Sequence, residues 1–262
     1  MATYLDRILA GHRAAAAADP RPLEPLLDEA RAVGPTRSFE ASLRTTGARQ
    51  LAVIAEVKRR SPSKGDLAPD LDPAEVALAY DRGGATCLSV LTDEEWFGGS
   101  ADDLQAARGA VDLPVLRKDF TVDPRDVADA RLMGADAVLL IVAALDDAEL
   151  ADLHTLGRDL GLDVLVEVHD EAELERALTV GATLIGVNQR DLVTFEVDTA
   201  RAVRVGGGMP DDVVRVAESG IRDTQDALTL AAAGFHAVLV GESVVTSGDR
   251  AGSVTRLRVP RR

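Results

Sequence analysis

The amino-acid sequence predicts an α/β protein, a (β/α)8 (TIM) barrel with an N-terminal helical extension. Eight short runs rich in Val, Ile and Leu recur along the chain, and helix-like segments lie between them. The runs scarcely alternate with polar residues, as expected of strands buried on both faces of a parallel sheet. The chain has 262 residues, a length that such barrels commonly use in one domain. Eight runs with no ninth favour a closed barrel over a doubly wound open sheet, which is the alternative.

The predicted strands follow the apolar runs. They take residues 51–57, 86–91, 114–116, 137–142, 164–168, 183–187, 213–217 and 237–240. The segments between them carry the start and stop signals of helices. An aspartate suited to cap the first helical turn occurs four times, at Asp72, Asp123, Asp146 and Asp170. A glycine suited to the left-handed residue that follows a helix precedes four strands, at Gly84, Gly134, Gly181 and Gly234.

The two ends of the chain are predicted to differ from the barrel repeat. Residues 1–48 precede the first strand and have helical patterns, so we expect a helical extension packed on a barrel of residues 49–262. From Gly248 onward we expect a last short helix. The basic tail that follows, Arg256 to Arg262, is expected to be a solvated, frayed end.

Composition excludes several classes of function. The formal net charge is −15, with 44 acidic and 29 basic side chains, so the surface repels nucleic acid and anionic membranes. No apolar segment reaches the roughly 18–20 residues that span a bilayer. The single cysteine, Cys87, lies in an apolar run and is expected to be a buried, inert thiol. We expect a cytoplasmic protein that is a monomer, with a homodimer as the alternative.

Charged and amide side chains stand at the carboxyl ends of the predicted strands. Glu56 and Lys58 end the first strand and share one side of it, because side chains alternate with a period of two. Four more polar groups follow at the ends of the third, fifth, sixth and seventh strands: Lys118, Glu167, Asn188 and Glu218. Any one of them alone could be a structural ion pair. Together they predict an active site, because the carboxyl ends of barrel strands form its catalytic face.

The side chains in this set favour acid/base chemistry. Glutamates can exchange protons, and lysines can donate protons or bind a carboxylate, which suits a substrate with a carboxylate and a carbonyl. His169 is expected to make a local hydrogen bond, and no histidines have the spacing of metal ligands, so we expect no metal. Neither a dinucleotide-binding glycine motif nor a Walker loop occurs, so we expect no cofactor.

Two glycine-containing turns predict an anion site at the same end of the barrel. Ser219 and Gly220 follow the seventh strand, and Gly241 and Glu242 follow the eighth. Backbone N–H groups in these turns often bind phosphate in barrels. Glu242 could help only through its backbone, because its carboxylate would repel phosphate, and its side chain should point away. Ordinary turns that need glycine are the alternative.

Several segments together resemble the signature motifs of the indole-3-glycerol-phosphate synthases of tryptophan biosynthesis. They are residues 56–65 (EVKRRSPSKG), 89–92 (SVLT) with 97–100 (FGGS), 116–120 (LRKDF), 166–169 (VEVH), 186–192 (GVNQRDL), 217–220 (AESG) and 240–243 (VGES). They occur in family order across nearly the whole predicted barrel. About the first 45 residues resemble the family's helical extension loosely.

The resemblance implies a lyase. Its substrate, 1-(2-carboxyphenylamino)-1-deoxyribulose 5-phosphate, would close a ring, lose carbon dioxide and then lose water to give indole-3-glycerol phosphate. Lys118 would be the general acid of ring closure, while Glu167 and Lys58 would share the later proton transfers, and which of them drives dehydration is left open. Lys58 would also hold the substrate carboxylate.

The resemblance also assigns the rest of the pocket. Glu56 and Asn188 would position the lysines and the sugar hydroxyls, and Glu218 and Ser219 would complete the catalytic set. The implied phosphate-binding residues are Ser61, Gly220, Gly241 and Glu242. The implied apolar wall around the aromatic ring is Phe97, Phe120 and Leu139.

Two departures and two rival interpretations remain. Arg125 and Asp126 stand where the family often has Tyr-Gln, and Gln189 stands where Asn is common. One rival is a sugar-phosphate isomerase on the same fold, but that family uses a cysteine at the end of the first strand, where this chain has Glu56 and Lys58. The other rival is a non-catalytic metabolite-binding barrel, which would not require both lysines.

Overall fold

The computed structural model describes residues 3–191 and 193–261, and eight parallel strands in this part of the chain form a closed barrel. The strands are β1 (Ala52–Val57), β2 (Cys87–Leu91), β3 (Val115–Lys118), β4 (Ala137–Ile141), β5 (Asp163–Val168), β6 (Leu184–Asn188), β7 (Val214–Glu218) and β8 (Ala237–Val240). Each strand pairs with the next, and β8 returns to β1 with Ala52 opposite Ala237. The predicted barrel is therefore confirmed, and the open sheet is excluded.

Helices precede, separate and follow the strands. They are α1 (Tyr4–Ala18), α2 (Leu23–Ala32), α3 (Phe39–Gly47), α4 (Pro73–Arg82), α5 (Glu94–Phe97), α6 (Ala101–Ala110), α7 (Pro124–Leu132), α8 (Asp147–Asp159), α9 (Glu171–Thr179), α10 (Arg201–Gly206), α11 (Thr224–Ala232), α12 (Glu242–Val245) and α13 (Arg250–Leu257). In the loop after β1, two antiparallel strands of two residues each, Arg60–Ser61 and Gly65–Asp66, form a short hairpin. In the described residues, no helix combines the length and the apolar character needed to cross a membrane.

The residues predicted to begin and end the helices adopt the expected contacts and backbone conformations. The side chains of Asp72, Asp123, Asp146 and Asp170 each accept a backbone hydrogen bond from the first turn of the helix that follows. The glycines at the helix ends, Gly84, Gly134, Gly181 and Gly234, all have left-handed backbones with φ between 77° and 91°. An L side chain would be strained at these positions, which explains why the chain has glycine there.

Helix α3 covers the amino-terminal end of the barrel. Its Phe39 and Leu43 are fully buried, and the backbone N–H of Glu40 donates to Asp163 at the start of β5 over 2.8 Å. The Glu40 carboxylate accepts from Thr183, which precedes β6. Helix α3 therefore packs against the end of the barrel opposite to the carboxyl ends of the strands.

The C-terminal tail differs from the prediction of a frayed end. Val259 is buried, and its carbonyl accepts from the backbone N–H of Leu51 over 2.8 Å. Arg261 donates from its backbone to Arg49 and from its guanidinium to Gly234. The tail is ordered because it pairs with the segment that enters β1, a contact that its basic composition does not reveal. Arg262 lies outside the described residues.

Cys87 is fully buried in β2, as predicted. Burial raises the pKa of its thiol well above the usual value, because a thiolate would lose its hydration. Burial and the raised pKa both disfavour a reactive thiolate at this position.

Candidate active site

A cavity of about 700 Å³ opens at the carboxyl ends of the strands. Six of the polar side chains predicted from the strand ends line it together: Glu56, Lys58, Lys118, Glu167, Asn188 and Glu218. They come from β1, β3, β5, β6 and β7, and they converge because the carboxyl ends of parallel strands meet at one rim. The volume lies within the range of about 300–1,000 Å³ that is usual for small-molecule sites.

Two lysine–glutamate pairs are present in the cavity. The Lys58 ammonium donates to the Glu56 carboxylate on the same side of β1. The Lys118 Nζ lies 3.4 Å from Glu167 Oε2 across the barrel, and Asn188 Nδ2 donates to Glu167 Oε1 over 3.1 Å. Both oxygens of the Glu167 carboxylate are thus occupied, which holds that side chain in one orientation.

The electrostatic surroundings keep Lys118 charged. Burial lowers the pKa of Lys118, but the nearby acidic groups, Glu167 foremost, outweigh burial and raise it above the usual value. Burial likewise raises the pKa of Glu167, and the charges of Lys118 and His169 outweigh it, so the Glu167 pKa is lowered overall. The pair is therefore an ammonium beside a carboxylate, which gives the cavity a proton donor next to a proton acceptor.

Glu218 has the opposite character. Burial and the negative charge of Glu167 raise its pKa well above the usual value, because an anion there would lose hydration and face a like charge. Gly186 on β6 makes room for this group, because a Cβ at that position would overlap Glu218 Oε1. The glycine in the predicted GVN motif therefore has a packing reason.

His169 makes the local hydrogen bond expected of it. Its Nδ1 lies 3.0 Å from Glu173 Oε2, while its Nε2 lies 3.6 Å from Glu167 Oε1. Burial lowers the pKa of His169, but the Glu173 hydrogen bond and the Glu167 charge outweigh it and raise the pKa overall. His169 therefore adds positive character behind Glu167.

The residues predicted for phosphate line the same cavity. Ser61, Gly220, Gly241 and Glu242 are all part of its wall. Gly241 packs against the charged pair of β1, since a Cβ there would meet Glu56 Oε1 and Lys58 Nζ. The Glu242 carboxylate is about half exposed and lies 3.7 Å from Lys64 Nζ, so a cation accompanies it at the mouth.

The apolar wall is partly as predicted. Phe97 and Phe120 line the cavity with ring centroids 6.4 Å apart. Leu139 does not line it. It is buried two residues below Ile141, and Ile141 provides the β4 contribution to the wall. Leu139 and Ile141 share one face of β4, and the residue nearer the mouth is the one that reaches the cavity.

Sequence reasoning missed the contribution of α1. Tyr4, Leu5 and Ile8 line the cavity, and the Tyr4 ring makes edge-to-face contacts with Trp96 and Phe195. The spacing of these three residues places them on one side of a helix, which was the available signal. Arg190, from the turn after β6, is a further lining residue that was not predicted.

His12 fixes α1 to the rim. Its Nε2 lies 2.9 Å from Asp93 Oδ2 and 3.9 Å from Asp119 Oδ1. Within the described ranges this trio brings three potential metal ligands within 4.8 Å of one another. The opposite oxygens are already committed, because Asp93 Oδ1 caps α5 and Asp119 Oδ2 accepts from Thr92 and Arg117. We interpret the trio as an ion pair that anchors the helix.

Comparison with known sequences identifies one family. A family model of indole-3-glycerol phosphate synthase matches residues 5–257. The indole-3-glycerol phosphate synthase of Mycolicibacterium smegmatis is 52% identical over 258 residues, which cover 98% of this chain and 94% of the relative. The enzyme of the same name from Mycobacterium ulcerans is 50% identical over the same shares of both chains.

Solved structures are similar in fold. Thiamine phosphate pyrophosphorylase from Pyrococcus furiosus has a TM-score of 0.60 at 17% identity, covering 79% of this chain and 93% of its own. N-acetylmannosamine-6-phosphate 2-epimerase from Clostridium perfringens also has a TM-score of 0.60, at 12% identity, with coverage of 77% and 89%. At these identities the similarity concerns the barrel architecture alone.

Proposed function

Because the chain belongs to the indole-3-glycerol phosphate synthase family, we propose that its cavity closes an indole ring with Lys118 as the general acid. The substrate is 1-(2-carboxyphenylamino)-1-deoxyribulose 5-phosphate, and the products are indole-3-glycerol phosphate, carbon dioxide and water. One observation carries the assignment. Lys118, Lys58 and Glu167 come from three strands and line one cavity, with Lys118 paired to Glu167 over 3.4 Å.

Ring closure needs a proton donor at the substrate carbonyl. The aromatic carbon that bears the carboxylate attacks the ribulose carbonyl carbon, and the carbonyl electron pair takes a proton from the Lys118 ammonium. Lys118 suits this task because its raised pKa keeps the proton on it until the carbonyl oxygen gains negative charge. A preorganised charge in a buried cavity stabilises that developing charge more strongly than water does.

Two further steps restore aromaticity. The carboxylate leaves as carbon dioxide, and its bonding electrons return to the ring. Water is then lost when the new hydroxyl takes a proton and the neighbouring carbon gives one up. Lys58 and Glu167 provide the donor and acceptor for these transfers, because both line the cavity and neither is consumed by ring closure.

The remaining residues bind and position the substrate. Lys58 holds the anthranilate carboxylate, and Glu56 and Asn188 position the lysines and the sugar hydroxyls. Glu218 and Ser219 complete the set. Ser61 and the backbone of Gly220, Gly241 and Glu242 take the phosphate, which supplies binding energy away from the reacting atoms. Phe97, Phe120 and Ile141 form the apolar wall.

The structure disfavours the isomerase rival. That chemistry needs a reactive cysteine at the mouth, whereas Cys87 is fully buried with a raised pKa. A metabolite-binding barrel without catalysis would bind the substrate and form no indole-3-glycerol phosphate. We further propose that the enzyme works in the cytoplasm as a monomer, with a homodimer as the alternative, and that it needs no cofactor.

The decisive experiment is a fluorescence assay for indole-3-glycerol phosphate with wild type and Lys118→Ala. We expect product formation by wild type and a loss in kcat of about 10²- to 10⁴-fold in the variant, as for removal of a general acid. Arg31→Ala is the control, because this exposed cation pairs with Asp28 on the surface of α2 and lies outside the cavity, and it should keep most of kcat. An inactive wild type, or a Lys118→Ala enzyme with full turnover, contradicts the proposal.

A further inference from the structure

The turn after β7 has an unusual backbone. Ser219 has φ of +65° and Gly220 has φ of +74°, so two consecutive residues adopt the left-handed conformation. This conformation is strained for serine, and it persists only where the surroundings hold it. Both residues line the cavity at its proposed phosphate end.

Gln189 contacts this turn from the end of β6. Its Nε2 donates to the Ser219 carbonyl over 2.7 Å, and its backbone N–H donates to the Glu218 carbonyl over 2.9 Å. Its own carbonyl accepts from the Asp198 N–H over 2.9 Å. One residue therefore joins β6, the turn after β7 and the loop that follows β6.

The orientation of the Gln189 side chain leaves one buried polar atom unpaired. It is almost fully buried, and its Oε1 has no hydrogen-bond partner in the described parts of the chain. Turning the amide round would set Oε1 against the Ser219 carbonyl, so the observed orientation is the favourable one. Because a buried amide with one unpaired oxygen is costly, its presence indicates a function for the Nε2 group that donates to Ser219.

The geometry of the Ser219–Gly220 peptide group shows what the hydrogen bond from Gln189 achieves. The Ser219 carbonyl and the Gly220 N–H belong to one trans peptide group and point in opposite directions. When Gln189 fixes the carbonyl, the Gly220 N–H is directed away from Gln189. That N–H donates to no protein acceptor among the residues described.

We propose that Gln189 is a positioning residue that holds the Ser219–Gly220 peptide so that the Gly220 N–H is available to the substrate phosphate. This inference rests on the proposed phosphate site. The residue acts through the turn and does not touch the substrate, so its removal weakens binding while the proton-transferring lysines stay in place.

The test compares the substrate KM, kcat and the inhibition constant of inorganic phosphate in three variants. Gln189→Leu removes the donor to the Ser219 carbonyl together with the unpaired oxygen, and its melting temperature checks that the fold is kept. Loss of one well-oriented phosphate donor should raise both KM and the phosphate inhibition constant by roughly five- to tenfold with little change in kcat. Gln189→Asn keeps a donor and should restore most of the affinity. Ser61→Ala probes the proposed phosphate site independently.

The outcomes are distinguishable. A purely structural role for Gln189 would lower the melting temperature of Gln189→Leu and leave phosphate inhibition as in wild type, which overturns the inference. If Ser61→Ala weakens phosphate while Gln189→Leu does not, the phosphate site stands and the role of Gln189 is wrong. If neither variant changes phosphate inhibition, both proposals fail.

Discussion

The Glu218 carboxyl on β7 faces the Glu167 carboxyl on β5 in the cavity, and the pKa values of the two groups are shifted in opposite directions. Two lysines neutralise two of the three glutamates there, since Lys58 pairs with Glu56 and Lys118 pairs with Glu167. Glu218 has no cation within salt-bridge distance among the described residues. Burial and the like charge of Glu167 therefore favour the neutral form of Glu218 over its anion.

The first prediction follows from this difference. The raised pKa of Glu218 favours its neutral acid form, which Glu218→Gln mimics with a neutral amide that also donates, so kcat should stay within about tenfold of wild type. Glu167→Gln removes a required carboxylate and should lower kcat by about 10²- to 10⁴-fold. Steady-state kinetics of both variants at neutral pH check this. A loss in Glu218→Gln as large as that in Glu167→Gln would show that Glu218 works as an anion.

A second prediction concerns the anchor of α1. Burial lowers the pKa of His12, but the hydrogen bond to Asp93 and the charges of Asp119 and Asp126 outweigh it and raise the pKa above the usual value. Because the folded pKa is the higher one, the ion pair stabilises the fold fully below the unfolded pKa of about 6.5 and its contribution is lost as pH rises through the folded pKa.

The measurement is urea unfolding of wild type and His12→Gln at pH 5.5 and pH 9. We expect the substitution to cost about 1–2 kcal/mol at the lower pH and close to nothing at the higher one. His154→Gln is the matched control on α8, because burial lowers the pKa of His154 and the dependence on pH should have the opposite sign. Equal costs of His12→Gln at both pH values would contradict the ion pair.

The third prediction tests the packing beneath Glu218. In Gly186→Ala the new methyl group overlaps Glu218 Oε1, so the carboxyl must move away from Glu167. We expect a lower free energy of unfolding, by about 1–3 kcal/mol, together with reduced kcat. Gly109→Ala is the control, because a Cβ there meets no atom within 4 Å and lies in helix α6, where alanine is favoured. If both variants keep wild-type kcat and stability, Gly186 has no role in placing Glu218.

The sequence predicted the residues at the carboxyl ends of the strands better than the packing of the N-terminal helix and the C-terminal tail on the barrel. Glu56 and Lys118 were identifiable because a charge at the end of an apolar strand costs free energy unless it is paired or has a function. The alternation of side chains along a strand then gives the face on which each charge lies. Tyr4 and Ile8 were missed because a helix pattern shows which face is apolar without showing which surface it covers. The ordered position of Val259 was missed for the same reason, since its partner Leu51 is distant in the chain.

The last prediction separates Lys58 from Glu167 in dehydration. Lys58 pairs with Glu56 and stands apart from the Lys118–Glu167 pair, so Lys58→Ala leaves the ring-closing acid and its partner intact. Glu167→Gln removes the charge that supports Lys118, so it should slow ring closure and every later step together. In single turnovers at saturating substrate, Lys58→Ala should therefore release carbon dioxide faster than indole fluorescence appears, because the hydroxylated intermediate accumulates. In Glu167→Gln the two signals should slow in parallel. Parallel signals in Lys58→Ala with an excess of carbon dioxide in Glu167→Gln would assign dehydration to Glu167 instead.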